Sequence, residues 1–191
     1  MSVLNLEPIG KVTLAKFEKL CKANPDLRLE LTATGELVVM PPAGGETGSY
    51  NAELNADLVL WNRVSGKGRV FDSSTGFVLP NGAVRSPDAA WVSMERWNSL
   101  TPEERKKFLP LCPDFVLELL SPSDDWQSGL TKMQEYMDNG CRLGWLIDPE
   151  SQRVAIYRSN KAPEILTAPA ALSGEDVLEN FTLSLSFLWQ L

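Results

Sequence analysis

The sequence contains no histidine among its 191 residues. This absence excludes Ser-His-Asp and Cys-His catalysis, zinc sites with histidine ligands, and nucleases that use a histidine as the general base. The polar chemistry that remains must come from carboxylates, lysines, hydroxyl groups and a hard metal ion. The lack of one residue type thus narrows the enzyme classes before any motif is considered.

Cysteines and long apolar segments are also scarce. The three cysteines, Cys21, Cys112 and Cys141, are far apart and odd in number, so we expect neither a disulfide framework nor a zinc site. No apolar run approaches the roughly 18–20 residues of a membrane helix, and the N-terminus lacks the basic and apolar segments of a secretory signal. These features predict a reduced, cytoplasmic protein that does not enter a membrane.

Positive charge is the third shortage. The chain has 18 lysines and arginines against 25 acidic residues, a net charge of −7. Nucleic-acid-binding proteins are usually basic, because much of their affinity comes from neutralised phosphates. Any basic surface must therefore be local, and two clusters could form one: Arg63, Lys67 and Arg69, and Arg105, Lys106 and Lys107. Taken alone, each cluster fits an ordinary solvated face better.

The pattern of apolar residues predicts an α/β fold in one domain of residues 1–191, with a mixed β-sheet flanked by helices. Helices are predicted over 13–23, from Thr47 to before Gly66, and over 128–139. An N-terminal hairpin and further strands are predicted for LRLEL, ELVVM, GRVFD, GFVLP, RSPDAAWVS, PDFVLELL, RLGWLID, RVAIYRS, EILTA and FTLSLSF. The segments DFVLELL, 128–139 and GWLID fit a parallel strand pair joined by a right-handed crossover.

Three polar residues stand out against this pattern. Asp88 begins an apolar run after Pro87, Glu118 interrupts the apolar run VLELL, and Lys132 lies on the following helix, on the flank of its apolar face with Tyr136. Burying a carboxylate without a partner costs on the order of several kcal/mol, so Glu118 requires a partner or a metal ion. Each residue alone also fits a structural role, as a turn residue, a surface carboxylate or a solvated lysine.

Together, the three residues suggest metal-assisted hydrolysis. Mg²⁺ prefers oxygen ligands and often needs only one or two carboxylates besides the substrate phosphate. It lowers the pKa of a bound water and neutralises charge on the phosphate, and a nearby lysine can orient that water or stabilise the charge. If the two strands are neighbours, Asp88 and Glu118 could hold Mg²⁺, or Mn²⁺ as a substitute.

Residues of about 40–160 resemble a known group of nucleases. The order of Pro87-Asp88, Glu118 at the end of a central strand and then a lysine resembles the PD-(D/E)XK nuclease superfamily. A wider series of blocks is similar to the Uma-type family of restriction endonucleases within it: GGETG, FDSSTGFVLP, RSPDAAWVS, CPDFVLELLSPSD and KMQEYMDNGCRLGWLIDP. The resemblance implies a restriction-endonuclease-like core with a metal site at one sheet edge, with Asp88 and Glu118 as the ligands.

The resemblance also implies further site residues. The usual lysine lies two residues after the glutamate, where this chain has Leu120, so Lys132 would be a migrated replacement. The superfamily often adds a glutamate from its first core helix, and Glu53, or as second choice Glu46, could fill that role. The two are seven residues apart, so one helix stripe could carry both. Gln134 is a further candidate.

The sequence thus predicts a Mg²⁺-dependent endonuclease acting on DNA, as a homodimer because two strands must be cut symmetrically. Two alternatives stay open. A catalytically inactive binding protein on the nuclease fold agrees with the acidic charge and the missing Glu-x-Lys pattern. A glycosidase could use Asp88 and Glu118 as acid and base, with some of the six tryptophans stacking on sugars, although their scattered positions favour core packing.

Overall fold

The computed structural model of the protein describes residues 2–4 and 10–189. Four α-helices and thirteen β-strands form within these ranges. The helices are α1 Leu14–Ala23, α2 Gly45–Ser65, α3 Met94–Ser99 and α4 Trp126–Asp138, with short 3₁₀ helices at Glu104–Lys106 and Ser186–Leu188. The strands are β1 Ser2–Leu4, β2 Arg28–Leu31, β3 Leu37–Met40, β4 Gly68–Asp72, β5 Phe77–Val78, β6 Val84–Arg85, β7 Ala89–Ser93, β8 Phe115–Leu119, β9 Leu143–Asp148, β10 Arg153–Arg158, β11 Glu164–Thr167, β12 Ala171–Ser173 and β13 Thr182–Ser184.

A six-stranded mixed sheet with the order β11-β10-β9-β8-β7-β4 forms the centre of the fold. Strands β8 and β9 run parallel and are joined through α4, and the other neighbours are antiparallel. The α/β fold with a mixed sheet is therefore confirmed, as is the parallel pair. The N-terminal helix and hairpin are also present as predicted.

The remaining strands form two further sheets, which the sequence did not indicate. Strands β1-β3-β2-β6-β5 make an antiparallel sheet of five, and β12 pairs with β13. The predicted strand RSPDAAWVS is divided between two sheets, because its first part is β6 and its second part is β7. Pro87 lies at the break and has no N–H to donate to a ladder, which explains why pairing stops there.

Strand β8 is buried along its whole length. Phe115, Leu117 and Leu119 pack in the cluster that contains Leu54 and Leu58 of α2. The alternate residues Val116 and Leu120 pack in the cluster that contains Met133 and Tyr136 of α4. Because side chains alternate along a strand, Glu118 faces α4.

The ends of the helices follow their sequence signals. Thr13 caps α1 by accepting a hydrogen bond from the Lys16 N–H, and α2 ends at Gly66 with a φ of 64°. The left-handed conformation at Gly66 costs glycine little, so the helix stops where the sequence predicts. Within the described residues, no helix combines the length and the apolar character needed to cross a lipid bilayer.

The tryptophans pack within the two main cores. Trp91 and Trp145 are buried members of the cluster on the α2 side, and Trp61 and Trp189 pack against it. Trp97 and Trp126 pack against the cluster on the α4 side. The preference for core packing over sugar stacking is thus confirmed.

We expect Gly68→Ala to destabilise the protein strongly. A Cβ on Gly68 would overlap the Val92 carbonyl oxygen and the Trp91 indole ring, and neither the backbone nor the buried ring can move away cheaply. The expected loss is at least about 2 kcal/mol of unfolding free energy, measured by chemical denaturation. Gly48→Ala is the matched control, because a Cβ there meets open space on helix α2 and should be neutral or stabilising. Equal stability of the two variants would contradict the packing.

Candidate functional site

Asp88 and Glu118 meet at one end of the six-stranded sheet. Asp88 precedes β7, and Glu118 is the fourth residue of β8. These strands are neighbours, and the pairing of Ala89 with Leu117 brings Asp88 opposite Glu118. Asp88 Oδ2 accepts a 2.9 Å hydrogen bond from the Leu119 N–H, which fixes this carboxylate against β8. The condition that the sequence set for a shared site, neighbouring strands, is therefore met.

Glu118 is 8% exposed and is paired on one of its two oxygens. Its Oε1 lies 2.9 Å from Lys132 Nζ and accepts a 2.8 Å hydrogen bond from the Tyr136 hydroxyl. The described residues make no hydrogen bond or ion pair to Oε2. The partner that a carboxylate inside an apolar run requires is thus a lysine and a tyrosine from α4.

The sequence suggested that Lys132 and Tyr136 lie on the flank of the apolar face of α4, but the structure places them elsewhere. Both lie on its buried face, together with Gly129 and Met133. The helix approaches the sheet closely at Gly129, where a Cβ would lie 3.0 Å from the Leu146 side chain. A lysine tolerates this buried position because carboxylates surround its ammonium group.

Glu30 of β2 is the second carboxylate on Lys132, and it was not foreseen as a site residue. It is fully buried, with Oε1 lying 3.0 Å from Lys132 Nζ and accepting a 2.9 Å hydrogen bond from the Ser86 N–H. Its Oε2 lies 3.1 Å from Arg85 Nη1, and Arg85 Nε lies 2.5 Å from Glu135 Oε2. The buried charge cluster of Glu30, Arg85, Glu118, Lys132 and Glu135 therefore joins the five-stranded sheet to α4 and β8.

The environment shifts the pKa values of the cluster in opposite directions. Burial raises the pKa of Glu118 to about 7, even with the lysine beside it. Burial alone would lower the pKa of Lys132, but Glu118 and Glu30 raise it above its usual value, so the ammonium stays charged. Burial likewise opposes ionisation of Glu30, but Lys132 and Arg85 outweigh it and lower the pKa of this carboxyl.

Asp88 and Tyr136 are both held toward their protonated forms. Burial raises the pKa of Asp88, although the Leu119 N–H acts in the opposite direction. Burial and the carboxylate of Glu118 raise the pKa of Tyr136 well above its usual value, so its hydroxyl remains a hydrogen-bond donor. Two close carboxylates with raised pKa values are an arrangement that a divalent cation would stabilise.

A cleft of about 360 Å³ opens over the two carboxylates. Arg28, Glu46, Thr47, Asn51, Asp88 and Glu118 are among the residues that line it. Asn51 is notable because its Oδ1 is buried and has no hydrogen-bond partner in the described structure. On the next turn of α2, Asn55 donates 3.0 Å hydrogen bonds to the Asp88 and Asn51 carbonyl oxygens, which ties this helix to the site.

The donor set fits Mg²⁺ or Mn²⁺. Within the described residues, no group of three or more acidic, cysteine or histidine side chains is placed to hold a metal ion. Two carboxylates are enough for Mg²⁺, which keeps several waters and takes oxygen ligands from the substrate. The unpaired oxygen of Asn51 is a further acceptor of the kind that a hard cation prefers.

The three additional residues that the resemblance implied have different positions. Glu46 lines the cleft, and its Oε1 accepts a 3.2 Å hydrogen bond from the Tyr50 hydroxyl. Glu53 is exposed and lies outside the cleft lining, because it is two residues, roughly 200° around the helix, from Asn51. Gln134 is also exposed, on the outer face of α4, and donates a 2.8 Å hydrogen bond to Asp138.

One arginine from each of the two basic clusters packs on the same tryptophan, outside the cleft. Arg69 and Arg105 both lie over the Trp97 ring, at 5.9 and 5.0 Å from its centre. Trp97 is in α3, which follows the end of β7 opposite to Asp88. These residues therefore do not supply the positive charge of the cleft.

Sequence reasoning missed Glu30, Asn51 and Arg28. Glu30 had a detectable signal, because the Leu-Glu-Leu pattern that drew attention to Glu118 also occurs at residues 29–31. Asn51 and Arg28 had none, because neither interrupts an apolar run and their position depends on how α2 and β2 pack beside β7.

Two comparisons relate the chain to known proteins. A family model, Uma2, described as a putative restriction endonuclease, matches residues 14–186. The crystal structure of a putative nuclease belonging to DUF820 from Anabaena variabilis ATCC 29413 has a TM-score of 0.77 and 23% sequence identity, covering 93% of this chain and 97% of that chain. This likeness shows that the two proteins share a fold. No curated protein matches the chain.

We expect Glu30→Gln to destabilise the metal-free protein in a pH-dependent way. A carboxyl whose pKa is lowered by folding stabilises the fold above its unfolded value, 4.5, and loses this effect as the pH falls through its folded value. The variant should lose on the order of 3 kcal/mol at pH 7, because the buried Lys132 and Arg85 lose a partner. Denaturation in EDTA should show the difference from wild type narrowing below about pH 4.5. The exposed Glu53→Gln variant is the control, and a difference that is constant with pH would contradict the ionised cluster.

Proposed function

The chain belongs to the Uma2 family of putative restriction endonucleases, and on that premise we propose that it is a Mg²⁺-dependent endonuclease that hydrolyses DNA phosphodiester bonds. The observation that carries the proposal is the pair of carboxylates, Asp88 and Glu118, side by side on neighbouring strands under an open cleft. A hard cation explains why two close carboxylates would be kept in a cleft that burial makes unfavourable for charge.

Asp88 and Glu118 would hold the metal ion, and Mn²⁺ could replace Mg²⁺. When bound, the ion would lower the pKa of a water molecule and neutralise negative charge on the phosphate. The Leu119 N–H orients Asp88 by binding its Oδ2. Tyr136 and Lys132 orient Glu118 by binding its Oε1. The other oxygens are left for a ligand in the cleft.

Lys132 would act through Glu118. Its ammonium fixes the orientation of that carboxylate, and its positive charge partly offsets the negative charge of Glu118 and Glu30. In this proposal the lysine acts from α4, and Leu120, which directly follows β8, stands at the usual place of the lysine.

DNA as the substrate, a homodimer and a cytoplasmic location belong to this proposal. DNA is the substrate that restriction endonucleases cut, and a two-fold dimer would present one site to each strand of a duplex. The three cysteines are free thiols, which is consistent with a reducing compartment.

A binding protein that has lost its activity is the competing function. One observation favours it: the lysine is already paired with two carboxylates, so the cluster is satisfied without a metal ion. Metal titration separates the two functions, because a structural cluster would show no binding that depends on Asp88.

We expect Asp88→Asn and Glu118→Gln each to abolish metal-dependent DNA cleavage while the protein remains folded. Each change removes a negative ligand charge with little change in shape, so calorimetry with Mn²⁺ should show much weaker binding. The cleavage rate should fall at least about a hundredfold, since metal-based stabilisation contributes several kcal/mol. Glu53→Gln is the control and should cut as the wild type does. Normal cleavage by either site variant would refute the assignment.

We expect the double variant Glu30→Gln with Lys132→Met to fold but to cut slowly. Removing the ammonium together with one of its two carboxylates keeps the net charge of the buried cluster unchanged. The value of kcat should fall at least about tenfold, while Mn²⁺ affinity changes much less, because Asp88 and Glu118 remain. Glu30→Gln alone serves as the control. If kcat is the same in the double and single variants, Lys132 has no part in the reaction.

A further inference from the structure

Because Lys132 is paired with two carboxylates, it cannot be the positive side chain that contacts the substrate phosphate directly. Its ammonium lies 3.0 Å from Glu30 and 2.9 Å from Glu118, and Lys132 does not line the cleft in the part of the chain that the structure describes. A phosphate in the cleft would therefore meet the lysine only through the Glu118 carboxylate. Besides the metal ion, a positive side chain in direct contact with the phosphate would stabilise the negative charge that builds on its oxygens during hydrolysis.

Arg28 is placed to make that contact. It is the one basic side chain among the described residues that line the cleft. Arg28 is the first residue of β2, and it lines the cleft together with Asp88 and Glu118. Its positive charge acts on Asp88 and favours the ionised form of that carboxyl. The arginine therefore lies close to a carboxylate of the site, on the same wall of the cleft.

The guanidinium group of Arg28 is held by one hydrogen bond and has further N–H donors without a partner among the described residues. Its Nη2 donates a 2.9 Å hydrogen bond to the Ser73 carbonyl oxygen. The described residues make no other hydrogen bond or ion pair to it, so its remaining N–H groups are available to a ligand. The side chain is half-buried, which holds the fork in place while leaving one side open to the cleft.

The charge of the cleft favours such a contact. Four acidic residues, Glu46, Asp88, Glu118 and Asp124, are among the described residues that line it, in a chain with a net charge of −7. A phosphate would be repelled unless positive groups balance these charges. A guanidinium group matches the phosphate oxygens with two parallel hydrogen bonds, which a lysine cannot do.

We propose that Arg28 binds the phosphate that is cut, and so supplies the direct positive contact that the buried Lys132 cannot make. This assignment rests on the proposed nuclease function and adds a phosphate-binding residue to it. Lys132 then remains a positioning residue behind Glu118.

The test compares wild type with Arg28→Met, Arg28→Lys and the control Arg63→Met. Arg63 is exposed near the far end of α2, outside the cleft. The kcat and KM for cleavage of duplex DNA with Mn²⁺ are measured over a range of NaCl concentrations, and Mn²⁺ affinity is measured by calorimetry. Thermal unfolding confirms that each variant is folded.

Arg28→Met should lower kcat/KM at least about tenfold, through loss of a charge-assisted contact. The slope of log kcat/KM against log salt should become shallower by about 0.9, the effect of one lost phosphate contact. Mn²⁺ affinity should stay the same or increase, because a positive charge near the site is removed. Arg28→Lys should keep the salt slope, because the positive charge remains, but its kcat should fall because a lysine cannot form two parallel hydrogen bonds to the phosphate. Arg63→Met should match wild type in both quantities.

The possible failures are distinguishable. An active wild type together with an Arg28→Met variant of unchanged slope and rate would overturn the Arg28 assignment alone. A folded wild type that binds no Mn²⁺ and cuts no DNA would overturn the proposed function, and the Arg28 assignment with it. If Arg28→Met does not fold, Arg28→Lys decides the question: wild-type kcat in that variant would also overturn the assignment.

Discussion

A single ammonium group, that of Lys132, is held between carboxylates from two different sheets. Glu30 comes from the five-stranded sheet and Glu118 from the centre of the six-stranded sheet, while the lysine itself comes from α4. A buried lysine without these partners would be very unfavourable, and each carboxylate would be costly without the lysine. The packing of the two sheets against each other and the orientation of Glu118 therefore depend on the same contact.

The interruption of strand pairing at Pro87, between β6 and β7, determines how the site is assembled. Because β6 ends before this residue and β7 begins after Asp88, one short segment passes from one sheet to the other. Arg28 of β2 and Asp88 therefore line the same cleft, and Glu118 of β8 lines it beside them. The cleft thus lies at the junction of the two sheets, where side chains from separate cores can meet.

Local patterns were enough to predict most helices and strands, whereas the expectation that Asp88 and Glu118 share a site came from the resemblance to the PD-(D/E)XK nucleases. The limits of α1 and the end of α2 followed from Thr13 and Gly66, whose cap chemistry is local. The division into three sheets was not predictable in this way, because it depends on pairings between distant segments, such as Leu31 with Val84. Glu53 lies outside the cleft lining, and a family pattern does not specify which side of a helix will face the cleft.

The buried charge cluster also bears on how this protein could be engineered. Replacing a buried ion network with well-packed apolar residues often leaves a fold as stable or makes it more stable. Selection for thermal resistance alone would therefore favour filling the space between Glu30, Lys132 and Glu118 with apolar side chains. Under the proposed function, such a variant would gain stability and lose activity, because it would lack the groups that orient Glu118.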